Sequence, residues 1–415
     1  MPDTSRRPLR ELRQATKLQN VVYEIRGPAN AYAARLEADG HRVLKLNVGN
    51  PAAFGFEAPE AILQDVHAGL PSAHGYCESR GILPARRAIV SRYELVPDFP
   101  PLDVTDVYLG NGVSELIIMT MQALLDDGDE VLIPAPDYPL WTAAVSLAGG
   151  TPVHYRCDEA DGWNPDIADL GAKITDRTKA VVVINPNNPT GAVYSREVLT
   201  QVVDLAREHH LLLLADEIYD RVLYDDAEHI ALASLAPDLL CLTYNGLSKT
   251  YRVAGFRAGW LAITGPRAHA QGFLEGIELL ASSRLCPNVP GQHAIQVALG
   301  GHQTIDDLVL PGGRLREQRD VAVQMLEKIP GVSCVVPQGA LYVFPRLDPE
   351  VHEIRDDAQL VLDLLVQEHI LVVQGTGFNW PDHDHLRIVT LPWAHDLKDA
   401  IERMGNFLAS YSQGR

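Results

Sequence analysis

The apolar residues between about 105 and 265 come in short solid blocks rather than in a strict alternation with polar ones. "DVYL" (106–109), "EVLIP" (130–134), "PVHYR" (152–156), "AVVVI" (180–184), "LLLLA" (211–215), "LCLTY" (240–244) and "GWLAI" (259–263) are the blocks. A strand with apolar residues on both faces suits a sheet that is covered on both sides, the usual condition of a parallel sheet. Between the blocks run stretches with helical spacing. In "SREVLTQVVDLAREHH" (195–210), Ser195 is placed to cap the helix, and His209 and His210 to close it against the negative end of its dipole. Alternating strands and helices predict an α/β core around a mainly parallel, seven-stranded sheet.

The pattern changes after residue 310. A helix over about 314–329 leads to "SCVVP" and "ALYVFPRL", then to a helix near 357–368, "ILVVQG", "LRIVTL" and a last helix. Helices on a small sheet predict a second, smaller α+β unit. The breaks "PDFPPLD" (97–103) and "PGG" (311–313) punctuate the chain. The expected division is 1–48 as an N-terminal segment with part of the small domain, 49–310 as the large domain, and 311–415 as the small C-terminal domain.

Composition narrows the functions available. The 415 residues suit two or three domain-sized units, and 46% hydrophobic with 21% charged residues is an ordinary globular balance. A formal net charge of −19 disfavours a partner bound through its phosphates, whether nucleic acid or an anionic membrane. Five scattered cysteines (77, 157, 241, 286 and 334) without a CxxC pair suit reduced thiols in a cytoplasmic protein. No apolar run approaches the roughly 18 residues of a membrane span. The leader "MPDTSRRPLRELRQATK" lacks the apolar stretch of a signal peptide.

Ligands of an open α/β sheet bind beyond the carboxyl ends of its strands, so the residues there are the candidates. After "DVYL" comes Gly110-Asn111-Gly112-Val113-Ser114-Glu115 and then a helix, a place where backbone N–H groups and a positive dipole end can meet a phosphate. A Gly-rich turn before a helix is common, and "NPNNPTG" (185–191) taken alone reads equally well as a rigid surface turn. Asp216 follows five apolar residues, and a carboxylate in such a place needs a cation or hydrogen-bond donors. Lys249 follows the next strand, and Arg257 precedes the one after that. A phosphate cradle, a buried acid, amide and phenol donors (Asn188, Tyr219) and a lysine share one rim. A phosphorylated aromatic aldehyde with a ring nitrogen uses every one of them. Lys249 would form the Schiff base, Asp216 would hold the ring N–H, and Asn188 and Tyr219 would bond the ring oxygen. The forked guanidinium of Arg257 would grip the phosphate.

The stretches "NPNNPTG", "ADEIYD" and "SKTYRVAGFRAGW" together resemble the signatures of the class I/II, fold-type I aminotransferases. The resemblance extends over nearly the whole chain. "LKLNVGNP", "GNGVSELI", "PAPDYPLW", "GGRLREQR", "GALYVFP" and "VQGTGFNWPDHDHLRIVTLP" look most like the bacterial alanine (glutamate–pyruvate) members. The resemblance implies pyridoxal 5'-phosphate as cofactor, with Lys249, Asp216 and Tyr219 as catalytic residues. It implies that Tyr138 stacks on the ring, and that Val113, Ser114, Ser248 and Arg257 hold the phosphate. Arg387 would take the substrate α-carboxylate, with Gly49 and Asn188 lining that pocket. Tyr76 would reach the phosphate of a neighbouring subunit, which implies a homodimer with shared sites. The substrates implied are amino acids and 2-oxo acids, with L-alanine and 2-oxoglutarate giving pyruvate and L-glutamate. Valine, aspartate or aromatic donors, and a C–S β-lyase on the same fold, stay open at this point.

Two departures stand out. Many relatives carry a serine three positions before the lysine, where this chain has Gly246, so one phosphate hydroxyl is missing and Ser248 partly replaces it. No second arginine is assigned to a side-chain carboxylate; Arg26 and Arg284 are the candidates. "DHDH" (382–385) is read as a loop beside the strand of Arg387 and not as a metal site, and "LLDDGDEVL" as a turn.

Overall fold

The computed structural model describes residues 11–18, 21 and 28–413. Its first strand, β1 (Leu44–Lys45), lies outside the large sheet. The large sheet contains β2 (Val107–Asn111), β3 (Glu130–Ala135), β4 (Thr151–Asp158), β5 (Asn164–Pro165), β6 (Thr178–Ile184), β7 (Leu212–Asp216), β8 (Cys241–Gly246) and β9 (Ala258–Thr264). The order across it is β2-β9-β8-β7-β6-β3-β4-β5. The central pairs β8–β7, β7–β6, β6–β3 and β3–β4 are parallel; β9 runs antiparallel to both its neighbours. All seven expected strands are present. The eighth, β5, is a two-residue edge strand antiparallel to β4, too short to leave a hydrophobic signature.

The solid apolar blocks follow from burial on both faces. Along β6, Val181 and Val183 point into one core layer with Leu199, Val202 and Ala206 of the helix Arg196–Glu208. Ala180, Val182 and Ile184 point the other way, into a layer with Leu116, Met119 and Trp141. Leu213 and Leu214 of β7 split between the layers in the same manner. Each fully buried leucine contributes roughly 1.5–3 kcal/mol of transfer free energy. Ser195 caps the helix Arg196–Glu208 by accepting from Val198 N at 3.4 Å, and His209 is its C-cap residue.

The C-terminal chain supplies the helices Arg314–Leu326, Asp357–Glu368 and Ala394–Ser410. Its short strands are β10 (Val332–Ser333), β11 (Tyr342–Val343), β12 (Arg346–Leu347), β13 (Ile370–Leu371), β14 (Val373–Gln374) and β15 (Leu386–Val389). Of these, β11, β15 and β14 form one antiparallel sheet, and β13 pairs in parallel with β1. Ala33, Val43 and Leu46 from the start of the chain share the core of these helices. A smaller cluster joins Tyr219, Val222 and Tyr224, just beyond β7, to Leu341, Tyr342, Val389 and Leu391. It brings the ends of β11 and β15 against the carboxyl edge of the large sheet.

Candidate active site

A cavity of about 630 Å³ opens at that junction. Gly49, Val113, Ser114, Tyr138, Asn188, Asp216, Tyr219, Ser248, Lys249, Arg257 and Arg387 all line it. Tyr76 does not; it is 83% exposed on this chain. Arg26 lies outside the described residues. Arg284 is drawn elsewhere: its guanidinium donates to Leu109 O at 2.7 Å and pairs with Glu115 at 3.5 Å. It does not line the cavity of this chain, and those partners hold it beside β2.

One end of the cavity is cationic by construction. The helix Val113–Leu124 starts at Gly112, whose φ is +79°, and Glu115 reaches back to accept from Asn111 N at 2.7 Å. Arg257, itself left-handed at φ 51°, donates from Nη1 to Ala254 O at 2.9 Å and from Nη2 to Asn111 O at 3.2 Å. The left-handed φ at position 112 favours glycine, and a Cβ there would lie 2.1 Å from Arg257 Nη2 and push the guanidinium aside. The guanidinium and the helix N-terminus thus present positive charge together. The glycine at 246 also has a geometric cause. It faces Gly259 across the β8–β9 pair, and a Cβ there would lie 2.8 Å from Ala258 O and 3.0 Å from Gly259 Cα. No serine fits at that position, and Ser114 and Ser248 are the serines that line the cavity.

At another wall, Asp216 is the last residue of β7 and fully buried. Trp141 Nε1 donates to its Oδ2 at 2.9 Å, and Ile218 N lies 3.4 Å from Oδ1. Burial pushes its pKa up to about 6, against the lowering effect of those donors. The carboxylate is therefore charged at neutral pH in a dry place and open to a cationic hydrogen-bond donor.

Between these points, Lys249 Nζ donates to Gly49 O at 2.6 Å and lies 5.8 Å from the centre of the Tyr219 ring. Tyr219 and Tyr342 are both buried, with hydroxyls 2.7 Å apart. Burial raises Tyr219 well above its ordinary value. Burial would raise Tyr342 too, but the positive charges of Lys249 and Arg387 outweigh it and leave this phenol lowered. The two hydroxyls share one hydrogen bond, in which either oxygen can be the donor. Arg387, on β15, donates to Asn188 Oδ1 at 3.2 Å and to Asn47 O. Its guanidinium lies over the rings of Tyr342 and Phe378, with Cζ 4.5 Å from each centroid. These cation–π contacts and the two hydrogen bonds hold the fork in one orientation at the cavity wall.

Four neighbours of the site escaped the sequence reading: Asn47, Trp141, Tyr342 and Phe378. All fall within stretches quoted for the resemblance, "LKLNVGNP", "PAPDYPLW", "GALYVFP" and "VQGTGFNWP". Alone, however, a Trp or Tyr in an apolar run reads as core. The "DHDH" loop divides its residues. His383 pairs with Asp357 at 3.0 Å, while Asp384 accepts from His385 Nδ1 at 2.7 Å and from Trp380 Nε1 at 3.0 Å. His385 stacks on Phe344 and is two residues from Arg387, so the loop anchors β15.

Residues 41–404 match the family described as aminotransferase class I and II. An alanine aminotransferase of Mycobacterium tuberculosis is 74% identical over 404 residues, 97% of this chain and 94% of that one. The glutamate-pyruvate aminotransferase AlaA of Escherichia coli K12 is 58% identical over 402 residues, 97% of this chain and 99% of the other. A solved alanine aminotransferase from Pyrococcus furiosus superposes with a TM-score of 0.90 at 38% identity, over 96% of this chain and all of that one.

Proposed function

The chain belongs to the class I and II aminotransferases, and on that premise we propose that it converts L-alanine and 2-oxoglutarate into pyruvate and L-glutamate. The observation that carries the substrate assignment is the 74% identity to an alanine aminotransferase over nearly the full length. Aminotransferases of this family use pyridoxal phosphate, which supplies an aldehyde conjugated to an electron-withdrawing ring.

The residues present fit that group. A buried carboxylate raised by burial suits the ring nitrogen, and the turn at left-handed Gly112, with Arg257 against it at the start of a helix, suits the phosphate. We assign Asp216 to hold the ring N–H. Tyr138 takes the ring face, and Asn188 and Tyr219 the ring oxygen. Val113, Ser114, Ser248 and Arg257 hold the phosphate. Lys249 would hold the cofactor aldehyde through Nζ, and the same amine, when free, would take and return the substrate's α-proton. Its Nζ donates to Gly49 O, which places the amine in the pocket beside the residues that line the carboxylate end. Arg387, with Asn188 and Gly49, orients the α-carboxylate that all four substrates share, which fixes where the α-hydrogen points. We take 49–310 as the cofactor-binding unit and 1–48 with 311–415 as the smaller one.

Two wider assignments follow the same reading. An exposed Tyr76 beside no described cavity supports a homodimer in which this phenol serves the phosphate of the second copy. Among the described residues no helix is long and apolar enough to cross a membrane. Five free thiols and a net charge of −19 support the reading of a cytoplasmic enzyme. The test is a panel of donors with pyruvate and 2-oxoglutarate as acceptors. Alanine with 2-oxoglutarate should give the highest kcat/KM. A preference for valine, aspartate or an aromatic donor by more than about tenfold would overturn the substrate but leave the aminotransferase reaction.

A further inference from the structure

Asp137 is fully buried one residue before Tyr138, yet it does not line the cavity. Its carboxylate joins two loops. Asn379 Nδ2 donates to Oδ1 at 2.7 Å, and Thr142 Oγ1 donates to Oδ2 at 2.7 Å. Asp137 N donates to Phe378 O at 3.0 Å, and Asn379 Nδ2 also lies 3.2 Å from Thr142 Oγ1. One of these loops carries Tyr138 and Trp141, and Trp141 is the indole that donates to Asp216. The other is the short turn Gly375–Phe378, closed by Asn379 in the left-handed region at φ 58°. Its Phe378 ring is one of the two that the Arg387 guanidinium lies over.

We propose that Asp137 is a positioning residue that couples the two sides of the site, holding Phe378 against Arg387 from the loop that also presents Tyr138 and Trp141. The proposal rests on the reading of Arg387 as the carboxylate site. Two observations favour a specific tie over generic packing. A completely buried carboxylate is an expensive way to fill space, and a hydrophobic side chain of that volume would do it better. Its side-chain partners Thr142 and Asn379 also lie 237 positions apart, on segments that flank the cofactor and substrate ends respectively. Thr142 Oγ1 is further placed 2.8 Å from His154 Nε2, a ring that burial holds down to about 4 and so neutral. That ring orients the hydroxyl without adding charge to the network.

The test uses the cofactor-loaded enzyme with four variants. Asp137→Ala and Asn379→Gly, the latter keeping the left-handed backbone while deleting the amide, should each raise KM for L-alanine and 2-oxoglutarate by about tenfold, with kcat changed less than about threefold. The dissociation constant of pyruvate, read by absorbance, should rise in parallel while the cofactor's own absorbance stays unchanged. Asp137→Asn should restore most of the KM, because its amide can accept from Asn379 and donate to Thr142. If Asp137→Ala does not fold, Asn379→Gly decides. An unchanged KM in Asn379→Gly, or a loss of kcat together with the cofactor absorbance, would overturn the positioning role. Arg387→Ala separates the two levels. If it leaves KM unaltered, the carboxylate reading falls; if it raises KM by about a hundredfold while Asn379→Gly does nothing, only the role of Asp137 falls.

Discussion

The two ends of the cavity are held by different kinds of structure. The cofactor end is a row of strand ends in one sheet: Val113 and Ser114 follow β2, Asn188 follows β6, Asp216 ends β7, and Ser248 and Lys249 follow β8. Asp216 sits in the β7 ladder itself, and the others follow closely on strands whose ladders have solid core on both faces. The substrate end is assembled across the chain. Arg387 and Asn47, 340 residues apart, meet through a single hydrogen bond, and Tyr342 comes from a two-residue strand. On the proposed reading, a resident group would be served by a rigid frame, and exchanging substrates by parts mounted on a second unit. The difference teaches where changes should be felt: in chemistry at the first end, in affinity at the second.

The largest expected effect lies at the centre, where both ends meet. Lys249→Ala should abolish turnover and the visible absorbance of the lysine-bound cofactor, while the phosphate end still retains cofactor. Full activity in this variant would remove the basis for both halves of the comparison.

Next comes Asp216→Asn, which should lower kcat by at least about a hundredfold, or roughly 2.7 kcal/mol in the barrier. A change of a few fold would mean that the carboxylate serves something other than the ring. The same variant also probes stability. The carboxyl moves from an ordinary 3.8 to about 6 on folding. The folded state then binds the proton more tightly than the unfolded chain, so cofactor-free protein loses stability as pH rises through that window. Above it the penalty is complete, on the order of 3 kcal/mol. Cofactor-free Asp216→Asn should therefore be the more stable protein at about pH 8, with the gap closing toward about pH 4. Parallel urea-denaturation curves for the two proteins across that range would contradict a carboxylate held for its charge.

The same division explains what the sequence made readable. Apolar blocks announced the strands because both faces of β6 and β7 are buried, and a rim of unusual residues after such blocks is a local signal. Asp216, Lys249 and Arg257 could be found in this way and joined to one chemistry. The substrate end has no such local signal. Arg387 sits inside "LRIVTL", an ordinary strand pattern, and was reached only through resemblance, while Tyr342 and Phe378 pass for core residues in "GALYVFP" and "GTGFNW". Their function depends on which ring faces which guanidinium, and that is decided by packing between distant segments. The missing serine at 246 was visible, but its reason was not. Only the Gly246–Gly259 register reveals that no side chain fits.

The smallest effect should come from Tyr342, which touches both ends at once. Its hydroxyl lies 2.7 Å from that of Tyr219, and its ring lies 4.5 Å from the Arg387 guanidinium. Burial would raise this phenol, but Lys249 and Arg387 outweigh it, and its hydroxyl shares one hydrogen bond with that of Tyr219. Tyr342→Phe deletes only the hydroxyl and keeps the ring. The loss is one neutral hydrogen bond, about 1 kcal/mol, and should appear as a roughly fivefold fall in kcat. KM should hold, because the ring contact with Arg387 remains. Tyr342→Leu should behave in the opposite sense, with the larger change in KM, since it removes one of the two rings that hold the guanidinium. Steady-state kinetics with L-alanine and with 2-oxoglutarate would decide. If the phenylalanine variant changed KM more than kcat, Tyr342 would belong wholly to the substrate end, and the hydroxyl pair would carry no link between the two.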